Sequence, residues 1–394
     1  MELYDLLLHG GTLLDPVQGV HARRDVAFQG GRVAAVAPEI PADRAARTVN
    51  VSGNLVAPGL IDVHVHIFEG VSHYGVNVDR GCLARGVTTV VDAGSAGADT
   101  FPGFRKYVIE ASNTRILAHL NISTMGMISR QIGELDDIKW ASVPRALEMI
   151  ERNRDVILGV KVRLTREQLV GKGAGLKPLY MAREAADAAG LPIMVHPQES
   201  WAKSFDEIIS VMRQGDVLTH MYHGLEHGIL DGEGRVRPSV WAARERGVVF
   251  DVGHGEGSFD WDVCQRALAQ GFPPTTISSD LHRYNIDGPV YDLVTTISKF
   301  LHLGLSLDEA MTMVTSVPAR VVGMAGEIGT LAPGAAGDAV VLEMQTGEFA
   351  FQDSRRIERI GERRLEPVLV VRNGRIVDMA SEPAPLSHGH HHPH

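Results

Sequence analysis

From about residue 60 to residue 280 the chain repeats one pattern: a short run of β-branched and aliphatic residues, a polar or glycine-bearing break, then apolar positions spaced three and four apart. The runs fall near 60–66, 87–92, 115–121, 156–163, 192–196, 216–220, 247–252 and 275–280. Near-continuous apolar strands are what a parallel sheet covered on both faces needs. Their alternation with helical stretches such as Val143 to Asn153, Lys177 to Ala189 and Pro238 to Arg246 predicts an α/β fold. Eight such strands are the number that closes a (β/α)8 barrel. Beyond the eighth run, Ser306 and Glu309 have the spacing of a capping box ahead of Ala310, Met313 and Val314, so a further helix opens there.

The two ends of the chain follow a different rhythm. Leu6 to Leu8, Asp25 to Phe28 and Val33 to Val36 are β-type runs punctuated by Gly10-Gly11 and Gly30-Gly31. Similar runs return at Asp338 to Leu342, Val368 to Val371 and Arg375 to Val377, with Asn373-Gly374 between the last two. Together the ends predict one small β-sandwich, built from residues 1–58 and 327–380, around a barrel of residues 59–326. A length of 394 residues suits that division, since a barrel takes about 250. Residues 381–394 form a His-rich tail, predicted to be disordered and set aside from the fold.

Composition narrows the classes of partner. Lys and Arg total 38 against 48 for Asp and Glu, a formal charge of -10 that repels a phosphate backbone, so nucleic acid is excluded as a partner. Cys82 and Cys264 are too few for a disulfide framework and too far apart in sequence for a thiolate zinc cluster. The first residues lack a basic flank, a secretory apolar segment and a cleavage site. No apolar run reaches the roughly 18 residues of a membrane span. These features predict a soluble, cytoplasmic protein acting on a small molecule.

Candidate chemistry sits at the ends of the predicted strands. His64 and His66, two apart at the end of the first run, share a face, with Val63 and Val65 on the other. Spacing alone decides nothing, because the tail repeats His-x-His at His388, His390, His392 and His394 with no strand around it. Lys161 lies inside an apolar, β-branched run, where an unpaired ammonium costs several kcal/mol or loses its proton. A neutral amine there can take up carbon dioxide; the alternatives are a lysine that snorkels outward or pairs with an acid. His196, His220 and Asp280 end the fifth, sixth and eighth runs. Imidazole and carboxylate are ligands that zinc accepts, and the carboxyl end of a barrel is where active sites form.

This order of residues, with the Pro58-Gly59-Leu60-Ile61-Asp62 lead-in, resembles the amidohydrolase superfamily, specifically its binuclear members with a carboxylated lysine. The resemblance covers nearly the whole length. It implies that His64, His66 and Asp280 hold one divalent metal ion, that His196 and His220 hold a second, and that Lys161 bridges them as a carbamate. Zinc is the default for imidazole-rich sites, although supply and affinity order admit others. Ser278-Ser279-Asp280-Leu281-His282 and Thr219-His220-Met221-Tyr222-His223-Gly224 further resemble a subgroup of amidohydrolases and deacetylases. Assembly as a homo-oligomer is expected on the same ground.

The expected activity is hydrolysis of an amide or ester in a small carboxylate-bearing metabolite, as in deacetylation of an N-acyl amino acid or O-acyl hydroxy acid. The alternatives are a cyclic amidohydrolase of dihydroorotase, hydantoinase or lactonase type and, more remotely, a scaffold without catalysis. Asp280 is the candidate general base. Arg163, two beyond Lys161 on the same face, is a candidate clamp for a substrate carboxylate, with a salt bridge to Glu134 as the alternative. His223 is a candidate substrate contact or ligand-orienting donor, Tyr284 and Asn285 candidate pocket walls, and His254 a group that would face the mouth. Gly94 to Gly97 offers backbone N–H groups or a plain tight turn, and the long connection Met127 to Trp140 suits a lid.

Overall fold

The computed structural model describes residues 3–378; the His-rich tail and the last two positions of the predicted sandwich lie outside the described residues. A seven-stranded parallel sheet organises the middle of the chain, its strands lying side by side in sequence order: Leu60–Val65, Val87–Gly97, Arg115–Asn121, Ile157–Arg163, Ile193–His196, Val217–Leu218 and Val249–Phe250. Each joins the next through a crossover, so every strand's carboxyl end emerges on the same side. Segment 275–280, predicted as the eighth strand, is hydrogen-bonded together with the following Leu281 to both sheet edges without forming a ladder. Val252 N donates to Thr276 O (3.1 Å) and His254 N to Ser278 O (3.2 Å), while Asp280 N donates to His64 O (2.8 Å) and His66 N to Leu281 O (2.9 Å).

The last strands are shorter than their apolar runs for a backbone reason. His220 and Asp280 adopt left-handed conformations, with φ of 61° and 50°, which end the extended geometry just where the candidate ligands stand. Non-glycine residues hold such conformations at a cost, and that cost gathers at functional sites.

The helices cover the outside of the sheet. Lys177–Ala189 begins with Pro178 in its first turn and stops at Gly190 in the left-handed region; it buries Leu179, Ala182, Ala185 and Ala186. The capping box at Ser306 and Glu309 is present and opens Leu307–Thr312. Between 127 and 140 the predicted long connection holds only the 3-10 turn Ile138–Trp140.

Two further sheets come from the chain ends. One has four strands, Arg32–Ala37, Asp25–Gln29, Leu6–His9 and Thr48–Asn50; the other has six, running from Arg375–Ile376 through Glu358–Arg372, Ala339–Gln352, Leu55–Pro58 and Thr12–Asp15 to Val20–Arg23. Leu6, Leu8, Val26 and Phe28 pack with Val56, Ala339, Val341 and Val371 in one buried cluster, so both ends of the chain meet in the same core. The hairpin Ala339–Gln352 with Glu358–Arg372 is far longer than its predicted core runs. Its extension carries Phe351 and Leu365 into the main core, where Leu365 N donates to Ser298 Oγ of helix Leu293–His302.

Candidate metal centre and active site

Five of the six predicted ligands are buried at the carboxyl end of the central sheet, and the sixth, His196, is partly open to the cavity there. His64 Nε2 and His66 Nε2 lie 3.2 and 3.1 Å from the same oxygen, Asp280 Oδ1. That oxygen is buried and has no hydrogen-bond partner. Three lone-pair-bearing atoms facing one point, none bonded to another, is the arrangement a shared cation satisfies. The ring of His220 lies 5.0 Å from that of His64 and 4.6 Å from that of His196, centroid to centroid. Lys161 Nζ is 3.5 Å from His64 Nε2 and 3.4 Å from Met194 Sδ.

The far nitrogens of these rings are engaged, which orients the near ones. His220 Nδ1 donates to Gly253 O at 2.7 Å, so the neutral ring presents an unprotonated Nε2. His66 Nδ1 meets Ser95 Oγ at 2.9 Å, and His64 Nδ1 meets Thr219 Oγ1 at 2.7 Å. On His196, Thr165 Oγ1 at 3.1 Å engages Nε2 and leaves Nδ1. Burial above all holds His66, His196 and His220 well below the usual imidazole range, which keeps them neutral and able to ligate. At Asp280 burial works the other way, but His64 and His66 outweigh it and hold the carboxyl well below its ordinary range.

Lys161 neither snorkels nor pairs with an acid. It is 1% exposed, no carboxylate among the described residues comes within 4 Å of Nζ, and burial brings its pKa down to about 8. A sizeable neutral fraction near physiological pH is what reaction with carbon dioxide needs. Gly94 makes room for this side chain: its φ is 87°, and a Cβ there would stand 2.6 Å from Lys161 Cβ and Cγ. The donor set, four imidazoles of which burial keeps His66, His196 and His220 neutral, an anionic carboxylate and a desolvated amine, therefore fits divalent cations and a carbamate.

A cavity of about 200 Å³ opens above these groups and is lined by all six of them, with Arg163 on its wall. Arg163 lines that cavity and also faces Glu134, named above as its alternative partner. Its Nε is 3.4 Å from Glu134 Oε1, Nη2 is 3.4 Å from Tyr74 Oη, and the guanidinium lies 5.2 Å from the Tyr74 ring centroid. The other candidates are distributed differently. His223 lines a neighbouring cavity, where Nδ1 accepts from Leu225 N and Nε2 contacts His227 O. Tyr284 is not part of the cavity lining; it is 37% exposed, beneath the Arg130 guanidinium at 4.3 Å. Asn285 bonds Asp280 O through Nδ2. His254 turns away, with Nδ1 on Gly255 O and Nε2 on Lys299 Nζ. A roomier cavity of about 1000 Å³ lies beside Arg32, Arg115 and Arg372, but those guanidiniums are spent on Glu327 and Asp338.

Comparison with known proteins bears on what this constellation belongs to. A deacetylase of Enterococcus faecalis is 33% identical over 382 residues, covering 95% of this chain and 99% of the relative. The chain belongs to the amidohydrolase superfamily. The amidohydrolase family profile itself matches residues 288–378. Two solved structures share the architecture at 32% identity. One is described as an adenine deaminase, with a TM-score of 0.87 over 95% of this chain and all of that one. The other is described as a dihydroorotase, with a TM-score of 0.84 over 94% and 98%.

Within this amidohydrolase, two groups lining the cavity were not singled out from sequence. Tyr74 reaches it from the connection after the first strand, its ring 5.4 Å from that of His66. His282 packs edge-on against Tyr74 at 4.7 Å; its Nδ1 accepts from Tyr284 N, so the neutral ring carries its proton on Nε2. His282 closes the Ser278–His282 run and could have been found by its offset from Asp280. Tyr74 carries no such signal, because a loop places it.

Proposed function

We propose that this chain is a binuclear metal-dependent deacetylase that removes an acyl group from a small N-acyl amino acid or O-acyl hydroxy acid, with His64, His66 and Asp280 on one cation and His196 and His220 on the other. Carboxylated Lys161 bridges the pair, and zinc is the default metal. In this reading segment 275–281 closes an eight-stranded barrel of residues 59–326, and the end-derived sheets form a β-sandwich. The observation that carries the proposal is the approach of two imidazole nitrogens to one unbonded, buried carboxylate oxygen in a cavity that also holds a guanidinium.

Cations bound there supply a water of lowered pKa and a Lewis acid for the substrate carbonyl. The chain's own groups do the rest. Asp280 Oδ1 faces the imidazoles while Oδ2 lies along the Gly255 backbone, where a Cβ would stand 2.5 Å away. Oδ2 would take a proton as the carbonyl is attacked and pass it to the departing nitrogen or oxygen. Arg163 holds the substrate carboxylate through guanidinium N–H groups. His282 adds an N–H donor, and Tyr74 stacks behind the guanidinium.

A second reading, opening of a cyclic amide, is favoured by the similarity to a structure described as a dihydroorotase. Mass spectrometry of turnover on N-acetyl amino acids, O-acetyl hydroxy acids and cyclic imides separates the two. Two products from an acetylated acid are expected; a single hydrated product from a ring, with acetylated acids untouched, would replace the deacetylase reading.

A further inference from the structure

Behind His64 lies a set of buried groups that the hydrolytic steps do not use. Asp251, fully buried, accepts from three hydroxyls: Thr276 Oγ1 on Oδ1 at 2.6 Å, and Thr219 Oγ1 and Ser278 Oγ on Oδ2 at 2.8 and 2.7 Å. Thr219 has a single hydroxyl hydrogen and gives it to Asp251. Its contact with His64 Nδ1 at 2.7 Å must then be one in which the ring N–H donates and the hydroxyl oxygen accepts. A neutral His64 protonated on Nδ1 carries its lone pair on Nε2, the atom 3.2 Å from Asp280 Oδ1.

We infer that Asp251, acting through the Thr219 hydroxyl, fixes the tautomer of His64 and so aims its Nε2 at the cation, making Asp251 and Thr219 positioning residues for the metal centre. The inference rests on the binuclear reading above. Asp251 is too far from the ring to do this directly, at 3.7 Å from Nδ1, so the hydroxyl is the necessary link. The same carboxylate also supports the second histidine side of the site. Ser278 Oγ, which donates to Asp251, accepts from Gly253 N at 2.9 Å, and Gly253 O receives the His220 Nδ1 proton. His66 Nδ1 meets the Ser95 hydroxyl, and Ser95 is held through its backbone N, which donates to Asp92 Oδ1. Partners of this kind orient a ligating imidazole and raise its basicity, and their loss costs about 10–100-fold in metal affinity.

Zinc titration of the metal-free protein in competition with a chromogenic chelator reads both sites. A wild type that binds no zinc sinks the binuclear reading itself; failure of the positioning role is a separate outcome, visible only in the variants. Where the wild type binds two ions, Thr219→Val removes the hydroxyl at nearly constant volume and should weaken one of them by about 10–100-fold while leaving the other little changed. Thr219→Ser, which keeps the hydroxyl, should restore the wild-type value. Equal affinities in wild type and Thr219→Val overturn the inference, as does a Thr219→Ser protein as weak as Thr219→Val. If metal-free Thr219→Val is unfolded by circular dichroism, Thr219→Ala replaces it. Alanine removes the same hydroxyl without a branched side chain, so one site must weaken; unchanged binding overturns the inference.

Discussion

Arg163 stands beside the predicted centre with its charge secured: burial works against it, and Glu134 with Tyr74 more than offsets that. Its contacts with Glu134, Tyr74 and Met127 Sδ are all 3.4 to 3.5 Å long, so its donors are held in place without being consumed. A hydrogen bond to a charged group contributes about 1.5–3 kcal/mol. Arg163→Ala should therefore lower kcat/KM on carboxylated substrates by about 10–100-fold and leave neutral acetyl esters nearly unaffected; an equal loss on both would remove the clamp assignment. At this scale the candidate ligands were legible in the sequence because the four histidines and Asp280 stand at or near the ends of apolar runs, and Lys161 stands inside one. Tyr74 was not, since a loop side chain's direction follows from tertiary contacts and has no period. His223 was expected as a substrate contact or ligand-orienting donor because its offset from His220 is visible, whereas the turn that spends both its ring nitrogens on backbone atoms is not.

The elements show what the pattern of apolar residues reaches and where it stops. Helix Lys177–Ala189 was legible to the residue because proline, an alanine-rich face and a terminal glycine agree with one another. Strands Val217–Leu218 and Val249–Phe250 were overestimated, because left-handed residues such as His220 interrupt ladders that the apolar runs alone would continue. The long hairpin was underestimated, since the paired residues 343–346 and 363–366 that extend it beyond the apolar runs are largely polar. Val87–Gly97 shows an element built around a single side chain: its Gly94 yields space to Lys161. Gly94→Ala should destabilise the protein by about 1–3 kcal/mol through backbone strain and displace Lys161. Thermal melting and metal content of the purified variant check this, and a wild-type melting temperature with full metal content would refute it.

Across the whole molecule, one buried cation ties the barrel side to the end-derived sheets. Lys299 is fully buried on helix Leu293–His302, and its Nζ reaches His254 Nε2 and Pro289 O, both at 2.8 Å, and Gln352 O at 2.6 Å. Three acceptors match an ammonium's three donors, yet burial pulls the pKa from 10.5 to about 7. The unfolded chain keeps this proton up to its ordinary pKa of about 10.4. Between that pH and about 7 the unfolded state therefore binds more protons, and the cost of burying Lys299, full below pH 7, fades as pH rises. Relative to Lys299→Met, the wild type should gain thermal stability on going from about pH 6 to about pH 9; a difference independent of pH would contradict this. That both chain ends share one core was legible because their glycine-punctuated runs differ in rhythm from the middle, whereas this buried tie was not, since nothing in the local pattern brings Lys299, His254 and Gln352 together. The central claim, that six side chains hold two cations with Lys161 as a carbamate, is tested most directly by a crystal structure of protein prepared with zinc and bicarbonate. The expected result is two anomalous peaks about 3.5–4 Å apart, one beside His64, His66 and Asp280 and one beside His196 and His220, with density continuing past Lys161 Nζ between them. A bare Lys161 amine, with zinc absent or scattered over the surface, would contradict the account.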